Sequence, residues 1–150
     1  MIAKEVNLRL SLASIKDLPF ARELTRVNMR EYYARYGLIW QPAAFDAEWP
    51  LRESYLIHRA SRLTGFLGIT VETNYLYVRD IQLIETYRGE GVGTWSMARI
   101  AQMAADRRCK RIRLKVFKSN PAIALYRRLG YASVGEETAL LWMERVVDKH

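Results

Sequence analysis

Gly89, Gly91 and Gly93 alternate with Glu90 and Val92 between Arg88 and Thr94, and this segment is where the chain could hold an anion. It follows the apolar run Ile81-Gln82-Leu83-Ile84 and precedes a helical pattern that begins near Trp95, so the glycines fall between a strand and a helix N-terminus. A helix start leaves about four backbone N–H groups outside the hydrogen-bond ladder and carries roughly half a positive charge. Glycines let a phosphate or pyrophosphate come close to those groups, and Arg88 adds a full charge beside them. Two familiar phosphate loops are excluded by the letters. No Lys-Ser or Lys-Thr follows the last glycine, and the spacing is not G-x-G-x-x-G. Several strand-like segments precede the turn, where a Rossmann fold would have one.

The elements that must position this turn come from a chain of 150 residues, half of them hydrophobic, which is enough for one core and one domain. There is no apolar run of about 18 residues and no leader pattern in the opening stretch, so the expectation is a soluble cytoplasmic protein without a membrane partner. Cys109 is the single cysteine, in the basic stretch Arg107-Arg108-Cys109-Lys110-Arg111, and His58 and His150 are the only histidines. That reads as a structural thiol rather than a nucleophile, and no metal-ligand spacing occurs. The formal charge of +8 would attract phosphates, nucleic acid or acidic surfaces. The cations are spread out, apart from a cluster at Arg107 to Lys118 and the pair Arg127-Arg128, and no ribonucleoprotein signature is present. A cofactor carrying several phosphates and an ordinary solvated surface account for the excess, so no nucleic-acid partner is expected.

Val6 to Leu12 alternates as a strand does. Ser14-Ile15-Lys16-Asp17 is a capping box, and Leu18, Ala21, Leu24 and Val27 continue it as a helix from about Ile15 to Tyr33. A short helix follows over Ala43 to Trp49. Tyr32, Tyr33, Tyr36, Trp40, Phe45 and Trp49 form an aromatic group that serves the core and could line a substrate pocket. Ser54 to Arg59, Thr64 to Glu72 and Tyr75 to Leu83 read as a three-stranded meander. A helix at Val92 to Arg107, a strand at Ile112 to Phe117 and a helix at Pro121 to Leu129 come next, the last closed by Gly130. Tyr131 to Gly135 and Ala139 to Arg145 complete an order β-α-α-β-β-β-α-β-α-β-β. This is a single α/β unit with a mixed, mostly antiparallel sheet of six or seven strands and about four helices.

That order, with a Gly-rich turn after the fourth strand, resembles the GNAT family of N-acetyltransferases, and two motifs carry the match. Arg88, Gly91 and Gly93 fit the family's R/Q-x-x-G-x-G/A, and Asp80-Ile81-Gln82-Leu83 fits its fourth strand. Asn120-Pro121-Ala122-Ile123-Ala124-Leu125-Tyr126-Arg127-Arg128-Leu129-Gly130-Tyr131 is similar to N-x-x-A-x-x-L-Y-x-x-x-G-F/Y. The resemblance implies acetyl-CoA as acetyl donor. Its pyrophosphate would lie on the backbone of Arg88, Gly89, Glu90, Gly91, Val92, Gly93 and Thr94, and its pantetheine arm would pair with Ile81 and Leu83 like an added strand.

Moving an acetyl group from a thioester to an amine needs a neutral amine, a polarised carbonyl and a proton for the departing sulfur. The resemblance gives Tyr126 the role of general acid, against the alternative of a packed helix tyrosine. Asn120 would contact pantetheine or cap the helix. The interval from Asn120 to Tyr126 is one residue shorter than in the commoner family pattern, so Ser119 is the other occupant of that place. Tyr77-Val78-Arg79-Asp80-Ile81 is similar to the fourth strand of spermidine/spermine acetyltransferases, where two acids stand at the positions of Arg79 and Asp80. Asp80 is left with two roles, ordering a water that deprotonates the amine or pairing with Arg79. Arg79 would repel a polyamine, which opens the alternative of an acceptor bearing a carboxylate or phosphate. Glu72 and Glu85 match no family position for the base.

The expectation is an acetyl-CoA-dependent N-acetyltransferase acting by direct attack of a primary amine, from a small molecule or a peptide, with a homodimer as a possible assembly. Two other readings stand beside it, a non-catalytic CoA-binding regulatory module and a basic nucleic-acid-binding domain.

Overall fold

The structure is a computed structural model that describes residues 7–148. Val6 and His150, singled out above, lie outside the described residues. Among the described residues, seven strands and four α-helices follow in the expected order: β1 (Leu8–Leu12), α1 (Leu18–Arg35), α2 (Pro42–Glu48), β2 (Glu53–Arg59), β3 (Arg62–Val71), β4 (Tyr75–Leu83), α3 (Val92–Asp106), β5 (Arg111–Phe117), α4 (Ala122–Arg128), β6 (Ala132–Glu136) and β7 (Leu140–Val146). The strands join one sheet in the order β1-β2-β3-β4-β5-β7-β6. β4 and β5 are parallel because α3 returns the chain to the same end, and β1–β2, β2–β3, β5–β7 and β6–β7 are antiparallel.

The capping box forms as the sequence predicts. Ser14 Oγ accepts from the Lys16 N–H at 3.2 Å and Asp17 Oδ2 from the Ser14 N–H at 2.8 Å. It caps a 3-10 turn, Ile15–Asp17, and the α-helix proper starts one turn later than expected, at Leu18 with Pro19 in its first turn.

Residues fall into two compact units, 7–69 with 79–96 and 70–78 with 97–148. In the first, Leu18 and Ala21 of α1, Phe45 of α2 and Trp49 pack on Leu56 and Phe66 from the sheet. Phe45 and Trp49 meet the Phe66 ring at 6.4 and 6.0 Å, edge on. In the second, β5 alternates up to its last residue, with Ile112, Leu114 and Val116 buried and Arg111, Arg113 and Lys115 exposed.

β3 and β4 approach unusually closely at Gly65. A Cβ there would stand 2.1 Å from the Gln82 carbonyl oxygen and 3.0 Å from the Leu83 Cα. Both obstacles are backbone, so neither can swing away. Gly65→Ala is expected to destabilise the fold by about 1–3 kcal/mol through this overlap, measured as a lower urea midpoint. An unchanged midpoint would contradict it.

Candidate active site

The end of β4 is fixed by side chains. Asp80 receives Arg52 Nη1 on Oδ2 at 2.5 Å and Gln82 Nε2 on Oδ1 at 3.1 Å. The Arg52 side chain is only 3 % exposed, so its charge depends on that carboxylate. Its guanidinium lies 4.8 Å from the Phe45 ring centroid and 5.7 Å from that of Trp49, a cation–π stack in the first unit's core. Gly68 makes room for it, since a Cβ there would sit 3.0 Å from Arg52 Cδ. Tyr33, half-buried, has its hydroxyl pKa raised by burial, with the negative charges of Asp80 and Glu48 adding to the effect. One of the aromatics singled out in the sequence thus lies within electrostatic reach of Asp80.

Asn28 of α1 ties this strand end to the turn. Its Nδ2 donates to Gln82 Oε1 at 3.1 Å and to the Leu83 carbonyl at 3.0 Å, and its Oδ1 accepts from Arg88 Nη2 at 2.6 Å. Leu83, whose backbone was expected to pair with a ligand, therefore has its carbonyl engaged within the protein. The parallel β4–β5 ladder runs from Tyr75↔Arg111 to Val78↔Leu114, and β4 continues beyond it through Arg79, Asp80, Ile81 and Gln82 to Leu83.

After β4 the chain makes a 3-10 turn, Glu85–Tyr87, and enters the glycine segment. Gly89 and Gly91 have φ of 75° and 84°, the left-handed region where a Cβ costs about 1–2 kcal/mol. Nothing lies within 4 Å of the position a Cβ would take on either, so conformation demands these glycines and crowding does not. The Trp95 N–H donates to the Gly91 carbonyl at 3.0 Å as the ladder of α3 begins, which puts the N–H groups of Val92, Gly93 and Thr94 ahead of it. Glu90 pairs with Arg59, from the end of β2.

The second motif builds the end of α4. Gly130 has φ of 94°, its N–H donates to the Arg127 carbonyl at 3.1 Å, and the Tyr131 N–H donates to the Tyr126 carbonyl at 3.0 Å. This is a Schellman closure, and the hydrophobic contact that accompanies it is the Tyr126–Tyr131 ring pair at 6.0 Å. Tyr126 is 7 % exposed, and burial pushes its pKa from 10.0 up to about 12. At the other end of α4, Asn120 Oδ1 accepts from the Ala122 N–H at 2.9 Å, so the capping role is occupied. The neighbouring Ser119 hydroxyl is buried without a hydrogen-bond partner.

Other candidates have structural explanations. Burial raises the Cys109 thiol pKa, which lowers its thiolate fraction, and His58 is hydrogen-bonded to Ser11 at 2.8 Å. Glu72 and Glu85 are exposed. In the basic cluster, Arg111 and Arg113 pair with Glu144, Lys115 with Glu137 and Lys118 with Glu136. Asn28, Arg52 and Arg59 were not found from the sequence. Each is a lone polar residue far along the chain from its partner, with no motif to mark it.

The model of the acetyltransferase (GNAT) family matches residues 21–131, which takes in both motifs. The chain belongs to the GNAT family. A thialysine N-epsilon-acetyltransferase of Mus musculus is 34% identical over 77 residues, 51% of this chain and 45% of that protein. A streptothricin acetyltransferase of Streptomyces lavendulae is 35% identical over 81 residues, 52% of this chain and 43% of that protein. The chain thus spans less than half the length of these curated relatives. Among solved structures, spermidine N-acetyltransferase from Vibrio cholerae, in complex with CoA and spermine, superposes with a TM-score of 0.76 at 17% identity, over 96% of this chain and 98% of that one. The GNAT fold is shared at that distance. No helix among the described residues is long and apolar enough to cross a membrane.

The Tyr126 pKa gives a pH prediction whose sign is fixed. The folded chain holds a proton that the unfolded chain releases near pH 10, so this stabilisation is complete below pH 10 and is lost as pH rises towards 12. Tyr126→Phe is expected to flatten the fall in unfolding free energy over that window. An identical alkaline profile in both proteins would contradict it.

Proposed function

We propose that the chain is a single-domain acetyl-CoA-dependent N-acetyltransferase that transfers acetyl to a primary amine by direct attack. The observation that carries this reading is the turn itself. Gly89 and Gly91 adopt left-handed conformations at the mouth of α3, one 3-10 turn after a strand whose last residues extend beyond its parallel partner's ladder. A strand edge followed by a helix start suits a ligand that is amide-bearing at one end and diphosphate at the other, as CoA is. Family membership and the CoA complex of the spermidine enzyme support the same donor.

The amine nitrogen attacks the thioester carbonyl carbon, the carbon–sulfur bond breaks, and the sulfur leaves as a thiolate that must be protonated. Tyr126 supplies that proton. The phenol holds its proton at any working pH and so arrives able to donate it, while burial, which pushes its pKa up to about 12, makes it a weaker acid than a free tyrosine. Ser119 supports the idea of a shifted motif, because its buried hydroxyl has unused hydrogen-bonding capacity while Asn120 is committed to the helix cap. Asp80 is held as the counter-ion of Arg52, with one bond to each oxygen and lone pairs remaining. Its part is to order a water that takes the ammonium proton. The curated relatives are named for different amines, thialysine and streptothricin, so the acceptor is defined here only as a primary amine.

Tyr126→Phe is expected to lower kcat by roughly 10- to 10³-fold while leaving the calorimetric Kd for CoA unchanged. Equal turnover would remove Tyr126 from the chemistry. Gly91→Phe is expected to weaken CoA binding by roughly 10-fold, because a side chain at φ of 84° forces the turn to rearrange. Unchanged affinity would sink the role of the turn. A thiol-release screen across amine classes, with acid-bearing amines included to test Arg79, identifies the acceptor. CoA binding without turnover on any amine would favour the regulatory module.

A further inference from the structure

Arg22, Arg52, Arg59, Arg111 and Arg113 each meet a carboxylate. Arg88, at the entrance of the glycine turn, does not. Among the described residues its hydrogen bonds run to two neutral oxygens, from Nη2 to Asn28 Oδ1 at 2.6 Å and to the Leu83 carbonyl at 3.5 Å. A carboxylate would fix the guanidinium and cancel its charge at once, whereas an amide oxygen fixes it and leaves the charge whole. A guanidinium has five N–H donors, and with both on Nη2 engaged, the three on Nε and Nη1 remain for an anion.

Asn28 can hold Arg88 in only one orientation. Both hydrogens of its Nδ2 have acceptors, Gln82 Oε1 at 3.1 Å and the Leu83 carbonyl at 3.0 Å, so the oxygen is the atom left to face Arg88. Gln82 is fixed in the same way, because its Nε2 donates to Asp80 Oδ1, and Asp80 is paired with the buried Arg52. The amide that meets Arg88 is thus oriented from the interior. We propose that Asn28 is a positioning residue for the donor: it aims the Arg88 guanidinium at the diphosphate of CoA and, being neutral, leaves the positive charge undiminished. This inference rests on the CoA reading above. Two consequences separate it from an amide that only holds the end of β4. The contribution of Asn28 passes through Arg88, so it vanishes once Arg88 is gone, and it applies only to a donor that carries phosphates.

The test is a double-mutant cycle read by calorimetry with CoA. Arg88→Met is expected to weaken binding by roughly 10-fold and Asn28→Ala by roughly 5-fold, with the double variant within roughly 2-fold of Arg88→Met alone. Asn28→Asp, which still offers Arg88 an acceptor but cancels its charge, should bind CoA more weakly than Asn28→Ala, and that excess should shrink as salt is raised. In turnover assays, Asn28→Ala should raise KM for acetyl-CoA with kcat little changed, while KM for S-acetylpantetheine, which has no phosphates, should move by less than roughly 2-fold. Asn28→Ser, which keeps a hydroxyl at the site, enters the same cycle with the same expectation if Asn28→Ala does not fold. Additive losses in the cycle would overturn the proposal, and so would an equal rise in KM for acetyl-CoA and S-acetylpantetheine. A parent protein that takes up no CoA would defeat the transferase reading, and this one with it. Uptake of CoA with no effect of the Asn28 variants defeats this one alone.

Discussion

A guanidinium buried to the extent of Arg52 cannot stand without a carboxylate, and Asp80 supplies one. Much of the first unit follows from that need. Phe45 and Trp49 present ring faces to the cation, and Gly68 lacks a side chain where Arg52 crosses the sheet. Asp80 in turn holds Gln82, Gln82 holds Asn28, and Asn28 holds both the Leu83 carbonyl and Arg88. The chain of bonds runs from a buried charge to the entrance of the glycine turn. A strand end that continues past its parallel ladder is thereby kept in one conformation by side chains, where a second strand would otherwise have done so. The arrangement concentrates risk, since removing Arg52 would leave a partly buried carboxylate without its counter-ion.

The turn obeys a second constraint, that of charge. It draws positive potential from the start of α3 and from Arg88, and carries Glu90 among its glycines. Left-handed φ at Gly89 and Gly91 sets its backbone, and Glu90 within it is ion-paired with Arg59. The basic strand β5, by contrast, presents its cations to solvent and pairs them with acids, which makes it a charged surface of ordinary kind.

The fold was legible wherever the signal was local. β4 was bounded correctly at Tyr75 and Leu83, and Gly130 was read correctly as a helix stop, because alternation and helix caps are properties of neighbouring residues. The start of α1 was missed by a turn because a capping box also serves a 3-10 turn. At the site, the glycine segment and Tyr126 were visible as motifs; Asp80 was given two roles, ordering a water or pairing with its neighbour Arg79, and the structure joins it to Arg52, 28 residues away. Asn120 was given two roles, and the capping one is occupied. Arg52, Asn28 and Arg59 act through contacts that the fold creates, and no spacing in the chain announces them.

Amide hydrogen exchange with and without CoA shows whether residues 79–94 receive the donor. Saturating CoA is expected to slow exchange in peptides covering the end of β4 and the glycine turn through Thr94, with much smaller changes in β1 and β2. Saturable binding that protects other segments and leaves 79–94 unchanged would contradict it.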